Sequence, residues 1–274
     1  MAPRTPTALT IAGSDSGGGA GIQADLKAFA SCGVHGTSAI TAITAQNTRE
    51  VRAVAAVEPK MVLDQVRAVL EDIGADAVKV GMLGTLETAK AVEAALAELP
   101  PGTPVVVDPV MVAESGARLI EPAAERWLAE HILPRASVVT PNLQEARVLA
   151  GAPERDRELP GEAERLARAV LALGAGAVIL TGGHRDAAAD LLLAGPDAEV
   201  VEIEGVRHSG GAAHGSGCTH SAILTAQLAL GRDLPAAARI ARARAGEAVA
   251  EGLRELGSGA GPVDAIGLSR LREA

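Results

Sequence analysis

Aromatic side chains are almost absent from this 274-residue sequence, which contains one Phe, one Trp and no Tyr. Proteins that hold single-stranded nucleic acid stack the bases on aromatic rings, so this scarcity speaks against such a function. The net charge of −9 points the same way, because nucleic-acid binding draws much of its affinity from Lys and Arg on phosphates. We therefore expect an aliphatic core and no nucleic-acid partner.

Long apolar runs and paired cysteines are missing as well. No run approaches the ~18 apolar residues of a membrane span, and the opening segment lacks the apolar stretch of a secretory signal peptide. The two cysteines, Cys32 and Cys218, make neither a disulfide framework nor a zinc pattern. These absences predict a cytoplasmic protein with reduced thiols and no membrane association.

Short apolar runs alternate with helical periodicity along the chain. The runs have the composition and boundaries of buried strands, and they lie at 8–11, 51–57, 77–80, 105–107, 138–139 and 177–180. Helical spacing is present in segments 22–29, 62–73, 86–99, 221–230 and 236–254. This alternation predicts a single α/β domain over residues 1–274, with a mostly parallel central sheet and helices on both faces. We expect residues 1–6 to be a flexible tail and the charged segment 153–162 to be a surface loop.

Polar or glycine-rich segments directly follow four of the predicted strands. They are 12–21, 108–110, 140–142 and 181–184. Because ligands of such sheets bind beyond the carboxyl ends of the strands, these segments predict a site at one edge of the sheet. Segment 13–21 lacks the Gly-Lys-Ser/Thr of a P-loop, and no dinucleotide fingerprint fits the first turn between strand and helix. The absence of that fingerprint weakens an interpretation as a nicotinamide-dependent enzyme.

The segment Gly215-Ser216-Gly217-Cys218-Thr219 carries the strongest single signal. Glycines flank the start of a long apolar helix there, so backbone N–H groups and the helix dipole favour an anion such as a phosphoryl group. Cys218 falls in the first turn, a position that lowers the pKa of a thiol. We expect an anion hole in this segment and a partly ionised thiol.

Asn142 and Glu145 are spaced so that both lie on the first turn of a predicted helix. Two interpretations remain open from the residues alone. Both side chains could hold the water molecules of a Mg²⁺ ion, which takes few direct protein ligands. Alternatively, they form a helix N-cap with a capping-box glutamate.

Seven motifs in order resemble the hydroxymethylpyrimidine/phosphomethylpyrimidine kinases of thiamine biosynthesis, in the ribokinase-like superfamily. They are TIAGSD at 10–15, GGAGIQADLK at 18–27, TAQNT at 44–48, KVGML at 79–83, VDPVM at 107–111, TPNLQE at 140–145 and GSGCT at 215–219. The resemblance extends from about residue 9 to residue 263. It implies a ribokinase-like fold, ATP as phosphoryl donor, Mg²⁺ and a homodimer. It also implies two phosphorylations, of the hydroxymethyl group and then of the resulting phosphate ester.

The resemblance also implies roles for individual residues. Gln46 would meet the pyrimidine edge with an amide that both donates and accepts hydrogen bonds. The complete set for the pyrimidine is Gly13, Asp25, Gln46, Met82 and Val110, and the catalytic anion hole is Gly215, Gly217 and Cys218. The nucleotide set is Asp108, Asn142, Thr181, Gly183 and Ser216, and the Mg²⁺ set, through water, is Asn142 and Glu145.

Three positions depart from the family pattern. Thr181 stands where the family commonly has Lys, the segment 210–213 replaces an Asn-Thr pair, and Asp264-Ala265 replaces a histidine. The first two departures bear on nucleotide binding. The alternatives are a pyridoxal kinase of the same superfamily and a non-catalytic protein that binds a vitamin or a nucleotide.

Overall fold

The computed structural model describes residues 4–182, 188–208 and 212–271, without the side chain of Ser269. Its strands are β1 (Thr7–Asp15), β2 (His35–Gln46), β3 (Val51–Ala56), β4 (Ala77–Val80), β5 (Val105–Val107), β6 (Val138–Val139), β7 (Val178–Leu180), β8 (Ala189–Leu193) and β9 (Val201–Glu204). Its helices are α1 (Gly21–Ser31), α2 (Pro59–Asp72), α3 (Leu86–Ala97), α4 (Pro122–Trp127), α5 (Leu143–Leu149), α6 (Glu162–Leu171), α7 (Ser216–Ala229), α8 (Leu234–Ala250) and α9 (Leu268–Leu271). A π turn and a 3₁₀ turn extend α4 to Arg135.

Within the described ranges the strands form one sheet in the order β3-β2-β1-β4-β5-β6-β7-β8-β9. Pairing is parallel from β2 through β1, β4, β5 and β6 to β7, whereas β3 and β8 pair antiparallel with their neighbours. The prediction of a mostly parallel α/β sheet is confirmed. Sequence analysis missed β2, β8 and β9, because their many Gly, Ser, Thr and acidic residues interrupt the apolar runs.

Helices cover both faces of the sheet, as predicted. Val105 and Val107 of β5 pack into a core with α2 to α6, and Val106 packs on the other side with α1, α7 and α8. The same alternation recurs along β1, β6, β7 and β8. This period of two is what a strand between two helical layers requires.

The chain changes direction across the sheet between β1 and β4. From β1 it crosses by α1 to β2 on one side, and from β4 it runs by α3 to β5 on the other. Because α1 and α3 lie on opposite faces, a crevice opens at the carboxyl ends of β1 and β4. The predicted site residues follow these strand ends. No helix in the described ranges is long and apolar enough to cross a membrane.

Two residues of the amino-terminal segment contact the body of the domain. Arg4 donates to the Asp76 carboxylate at 2.7 Å, and the Pro6 carbonyl accepts the backbone N–H of His35 at 2.8 Å. Arg4 and Pro6 therefore contact the domain, while residues 1–3 of the segment expected to be a flexible tail lie outside the described residues.

A buried arginine fixes the charged loop at 153–162. Arg147 of α5 is 1% exposed, and its guanidinium donates to both carboxylate oxygens of Glu162 at 3.0 Å. It also donates to the carbonyl oxygens of Arg155 and Arg157 at 2.6 and 2.9 Å. One guanidinium therefore attaches the loop to α5 and α6.

We predict that Arg147→Met lowers the free energy of unfolding by about 3–5 kcal/mol, because Glu162 is left as an unpaired buried charge. Urea denaturation measures the change. Arg168→Met is the control, since it breaks an ion pair with Glu164 whose side chains are 43% and 49% exposed. That variant should lose under about 1 kcal/mol. Equal effects of the two substitutions would contradict the proposed role of Arg147.

Candidate active site

A cavity of about 370 Å³ lies at the carboxyl ends of the parallel strands. The predicted site residues that line it are Gly13, Gln46, Met82, Asp108, Val110, Asn142, Glu145, Thr181, Gly215, Ser216, Gly217 and Cys218. Asp25 is not among the lining residues, and Gly183 lies outside the described residues, as do Gly210 and Gly211. The structure therefore brings together side chains that are distant along the sequence.

A buried ion pair lies directly beneath this cavity. Lys79 of β4 and Asp25 of α1 are both fully buried, and the Lys79 ammonium is 2.7 Å from the Asp25 carboxylate. The Thr10 hydroxyl donates to the second Asp25 oxygen at 2.6 Å. Asp25 was expected at the pyrimidine. Its helix α1 packs on one face of the sheet, and there the Asp25 carboxylate balances the charge of Lys79.

The charge state of this pair follows from its surroundings. Burial alone would lower the pKa of Lys79, but the Asp25 and Asp108 carboxylates outweigh burial and hold it above its ordinary value. Burial pushes the pKa of Asp25 up, and the contact with Lys79 opposes that change. The carboxylates therefore hold Lys79 in its ammonium form, whereas burial holds the pKa of Asp25 above its ordinary value despite the contact with Lys79.

Asp108 connects the buried pair to the cavity wall. Its carboxylate is 3.8 Å from the Lys79 ammonium and accepts the Ser221 hydroxyl of α7 at 2.8 Å. Because Ser221 lies just after the first turn of α7, this hydrogen bond fixes that turn relative to β5.

The start of α7 has the geometry of an anion hole. Gly215 caps the helix with φ of 81°, and a Cβ there would collide with the carbonyl oxygen of Gly19. The Ser216 N–H donates to the Ala213 carbonyl at 3.0 Å. The N–H groups of Gly217 and Cys218 belong to the first turn, which has no intrahelical acceptor for them. These two amides are therefore the donors that the predicted anion site would use.

The Cys218 thiol differs from its prediction. Burial raises the pKa of Cys218 to about 12, the carboxylates of Asp108 and Asp25 add to the rise, and Lys79 opposes it. The expectation of a partly ionised thiol was wrong, because two nearby negative charges and loss of solvent outweigh the helix terminus. The thiol is protonated at neutral pH.

A glycine-rich loop encloses the anion hole from the β1 side. The Asp15 carboxylate accepts the N–H groups of Gly17, Gly19 and Ala20 at 2.7, 3.0 and 2.9 Å. It also contacts the His214 imidazole at 2.9 Å. Burial alone would raise the pKa of Asp15, but these partners lower it. The contact of Asp15 with His214 therefore joins the loop to the segment that precedes the anion hole.

The end of the cavity nearest β2 is lined by Gly13, Thr44, Gln46 and Met82. The Gln46 amide oxygen accepts the Thr44 hydroxyl at 3.2 Å, and the Met82 carbonyl accepts the Thr41 hydroxyl at 2.6 Å. A Cβ at Gly13 would lie 2.9 Å from the Met82 sulfur, so only glycine lets the thioether pack there. This end of the cavity combines the amide of Gln46 with the apolar thioether side chain of Met82.

Asn142 and Glu145 form the capping box that sequence analysis left open. The Asn142 side chain accepts the N–H groups of Gln144 and Glu145, and the Glu145 carboxylate accepts the Asn142 N–H at 2.9 Å. Burial, with the charge of Asp108, raises the pKa of Glu145 to about 8. Two carboxylates near one another in a cavity fit a Mg²⁺ ion, which commonly uses one or two carboxylates together with phosphates and water. In the ranges that the structure describes, no group of three or more His, Cys, Asp or Glu side chains forms a metal cage.

The opposite end of the cavity includes polar residues that sequence analysis missed. Beyond Thr181, the wall contains Asp190, His220 and Arg242. An Asp inside the buried strand β8 is a signal in the sequence, since a buried charge requires partners. Asp264, the third departure from the family pattern, does not line the cavity, and it accepts the N–H of Leu268 at 2.8 Å.

Comparison with known proteins agrees with this geometry. The family model described as phosphomethylpyrimidine kinase matches residues 15–264. A hydroxymethylpyrimidine/phosphomethylpyrimidine kinase of Rhizobium meliloti is 47% identical over 265 residues, covering 94% of this chain and 96% of the relative.

Solved structures are similar over most of the chain. Phosphomethylpyrimidine kinase from Clostridium difficile 630 matches with a TM-score of 0.74 and 39% identity, covering 86% of this chain and 96% of the other. A Staphylococcus aureus pyridoxal kinase in complex with AMP-PCP and pyridoxal matches with a TM-score of 0.84 and 33% identity. The match covers 98% of this chain and 96% of the other. The chain therefore belongs to the phosphomethylpyrimidine kinase family and has the ribokinase-like fold.

Proposed function

We propose that this protein transfers the γ-phosphoryl group of ATP to 4-amino-5-hydroxymethyl-2-methylpyrimidine, and then to the resulting monophosphate, in thiamine biosynthesis. The observation that carries the proposal is the anion hole of α7, which lies between two chemically different ends of one cavity. The end near β2 suits an aminopyrimidine, and the end near β8 is polar and leaves room for a nucleotide.

The pyrimidine binds against Gln46, Met82 and Val110 in this proposal. The Gln46 amide offers a donor and an acceptor to the ring edge, which suits an aminopyrimidine. Met82 is 8% exposed and, with Val110, supplies apolar contact to the ring faces. Gly13 contributes by allowing the Met82 sulfur to approach.

Positioning and charge stabilisation carry the transfer step. Phosphoryl transfer has a loose transition state, so donors placed around the transferring group matter more than a strong base. The N–H groups of Gly217 and Cys218 would stabilise charge on the phosphoryl oxygens. A protonated Cys218 thiol acts as a weak donor beside them, and the acceptor hydroxyl passes its proton late in the step to an oxygen of the transferred phosphoryl group.

ATP use is supported by the AMP-PCP complex of the similar Staphylococcus aureus enzyme. Mg²⁺, when bound, neutralises charge on the phosphate oxygens, and Asn142 and Glu145 would hold it through water, with the charge of Asp108 close to Glu145. Thr181, Ser216 and Asn142 line the cavity on the nucleotide side of these carboxylates.

The assembly is proposed to be a homodimer in the cytoplasm. Val54 of the edge strand β3 and Ile43 of the neighbouring β2 are 48% and 56% exposed, on opposite faces of the sheet. A second copy of the chain that packs on one of these faces would cover one of these apolar side chains. Use of ATP and the two free cysteines fit the cytoplasm.

We predict MgATP-dependent release of ADP with hydroxymethylpyrimidine and with its monophosphate, and slower release with pyridoxal, because Gln46 matches the aminopyrimidine edge. A coupled assay on the purified protein measures all three acceptors. ADP release with pyridoxal alone would favour a pyridoxal kinase. Binding of nucleotide without ADP release would favour a non-catalytic protein.

We predict that Cys218→Ala slows phosphorylation of the alcohol and of the phosphate ester by a similar factor. Loss of one weak donor corresponds to roughly fivefold. Single-turnover rates with each acceptor measure the effect, and Cys218→Ser, which keeps a donor, should lose less. A much larger loss with the alcohol would show that Cys218 serves as a base despite its raised pKa.

A further inference from the structure

A second buried charge cluster lies at the nucleotide end of the cavity. Asp190 of β8 is 1% exposed, and its carboxylate lies 2.9 Å from the His220 imidazole and 3.6 Å from the Arg242 Nε. It also accepts the backbone N–H of Gly182 at 2.7 Å. Asp190, His220 and Arg242 therefore join β8 with α7 and α8 in the wall of the cavity.

The carboxylate in this cluster is ionised. Burial alone would raise the pKa of Asp190, but His220, the Gly182 N–H and Arg242 lower it below its ordinary value. An ionised Asp190 holds the two basic side chains at fixed positions.

The Arg242 guanidinium retains unused hydrogen-bond donors. It donates from Nη2 to the Ala188 carbonyl at 2.7 Å. The 3.6 Å separation of its Nε from Asp190 is too long for a hydrogen bond. A guanidinium has five N–H donors, and within the described residues only the bond to Ala188 uses one of them, so Arg242 keeps donors for a ligand that accepts hydrogen bonds.

The position of the cluster identifies the kind of ligand. His220 follows Ser216 by four residues on α7, so it lies one turn, about 5–6 Å, from the anion hole. Gly182 directly follows Thr181 at the end of β7. Lys79 is already balanced by Asp25 and Asp108, and Arg207, the other arginine that lines this end among the described residues, is exposed. Arg242 is therefore the arginine best placed in the wall for an anion next to the anion hole.

We propose that Arg242, held by Asp190 beside His220, binds the polyphosphate of the donor nucleotide. A guanidinium suits phosphate oxygens because its planar donors bind two of them at once. The proposal rests on the proposed kinase function, and it adds a cationic contact that compensates for the neutral side chain of Thr181.

The test is the affinity of Arg242→Gln for AMP-PCP and for adenosine, measured by isothermal titration calorimetry. We expect the dissociation constant of AMP-PCP to rise about ten- to a hundredfold, as for loss of a charge-assisted hydrogen bond, and that of adenosine to stay unchanged. Arg239→Gln, at an exposed position one turn earlier on α8, is the matched control and should bind both ligands normally. Thermal unfolding shows whether each variant is folded.

A second variant separates binding from a structural role. Thr181 lines the same wall, so T181K brings an ammonium group close to the cluster. Added to Arg242→Gln, it should restore most of the lost AMP-PCP affinity. Unchanged AMP-PCP affinity in Arg242→Gln, an equal loss for adenosine, or a loss that T181K does not reduce would each overturn the proposal. Because AMP-PCP binding requires no turnover, a protein that binds it without phosphorylating the pyrimidine contradicts the proposed function alone.

Discussion

The ammonium group of Lys79 has no access to solvent, and its charge must be balanced inside the fold. Its two charged partners are Asp25 of α1 and Asp108, which directly follows β5. These carboxylates in turn accept the hydroxyls of Thr10 in β1 and Ser221 in α7. Taking an ion pair out of water has a penalty of several kcal/mol per ion unless the geometry and extra hydrogen bonds are good. These elements can therefore pack in few ways other than the observed one.

The need to balance the charge of Lys79 also affects the arrangement of groups in the cavity above it. Asp108 faces the cavity while it balances Lys79, and Ser221 ties the same carboxylate to α7. The first turn of α7, with the amides of Gly217 and Cys218, is thus held at a fixed position above this cluster. Burial keeps the Cys218 thiol protonated, so in the proposed mechanism the backbone amides stabilise the charge.

Much of the site was predictable from the sequence because it follows strand ends. The runs at 77–80, 105–107 and 138–139 are buried strands, and the motif residues after them converge on one cavity. Family resemblance identified Gln46 although the strand that carries it, β2, was missed. Its Gly, Ser and Thr residues obscure the alternation that marks a strand.

What local sequence does not reveal concerns side chains whose surroundings come from distant elements. The family resemblance implied that Asp25 borders the pyrimidine pocket, and the packing of α1 directs its carboxylate to Lys79. The pKa of Cys218 depends on carboxylates more than a hundred residues away, which local sequence does not reveal. Asp190, His220 and Arg242 come together only through the sheet order.

The central claim is that the charge balance around Lys79 positions the anion hole as well as stabilising the fold. The most direct test is the single-turnover rate of phosphoryl transfer in folded Asp25→Asn, with the exposed Asp64→Asn as control. The account predicts at least about a tenfold slower rate for Asp25→Asn, corresponding to a barrier increase of about 1.4 kcal/mol, and an unchanged rate for Asp64→Asn. Folded Asp25→Asn that turns over at the wild-type rate would contradict it.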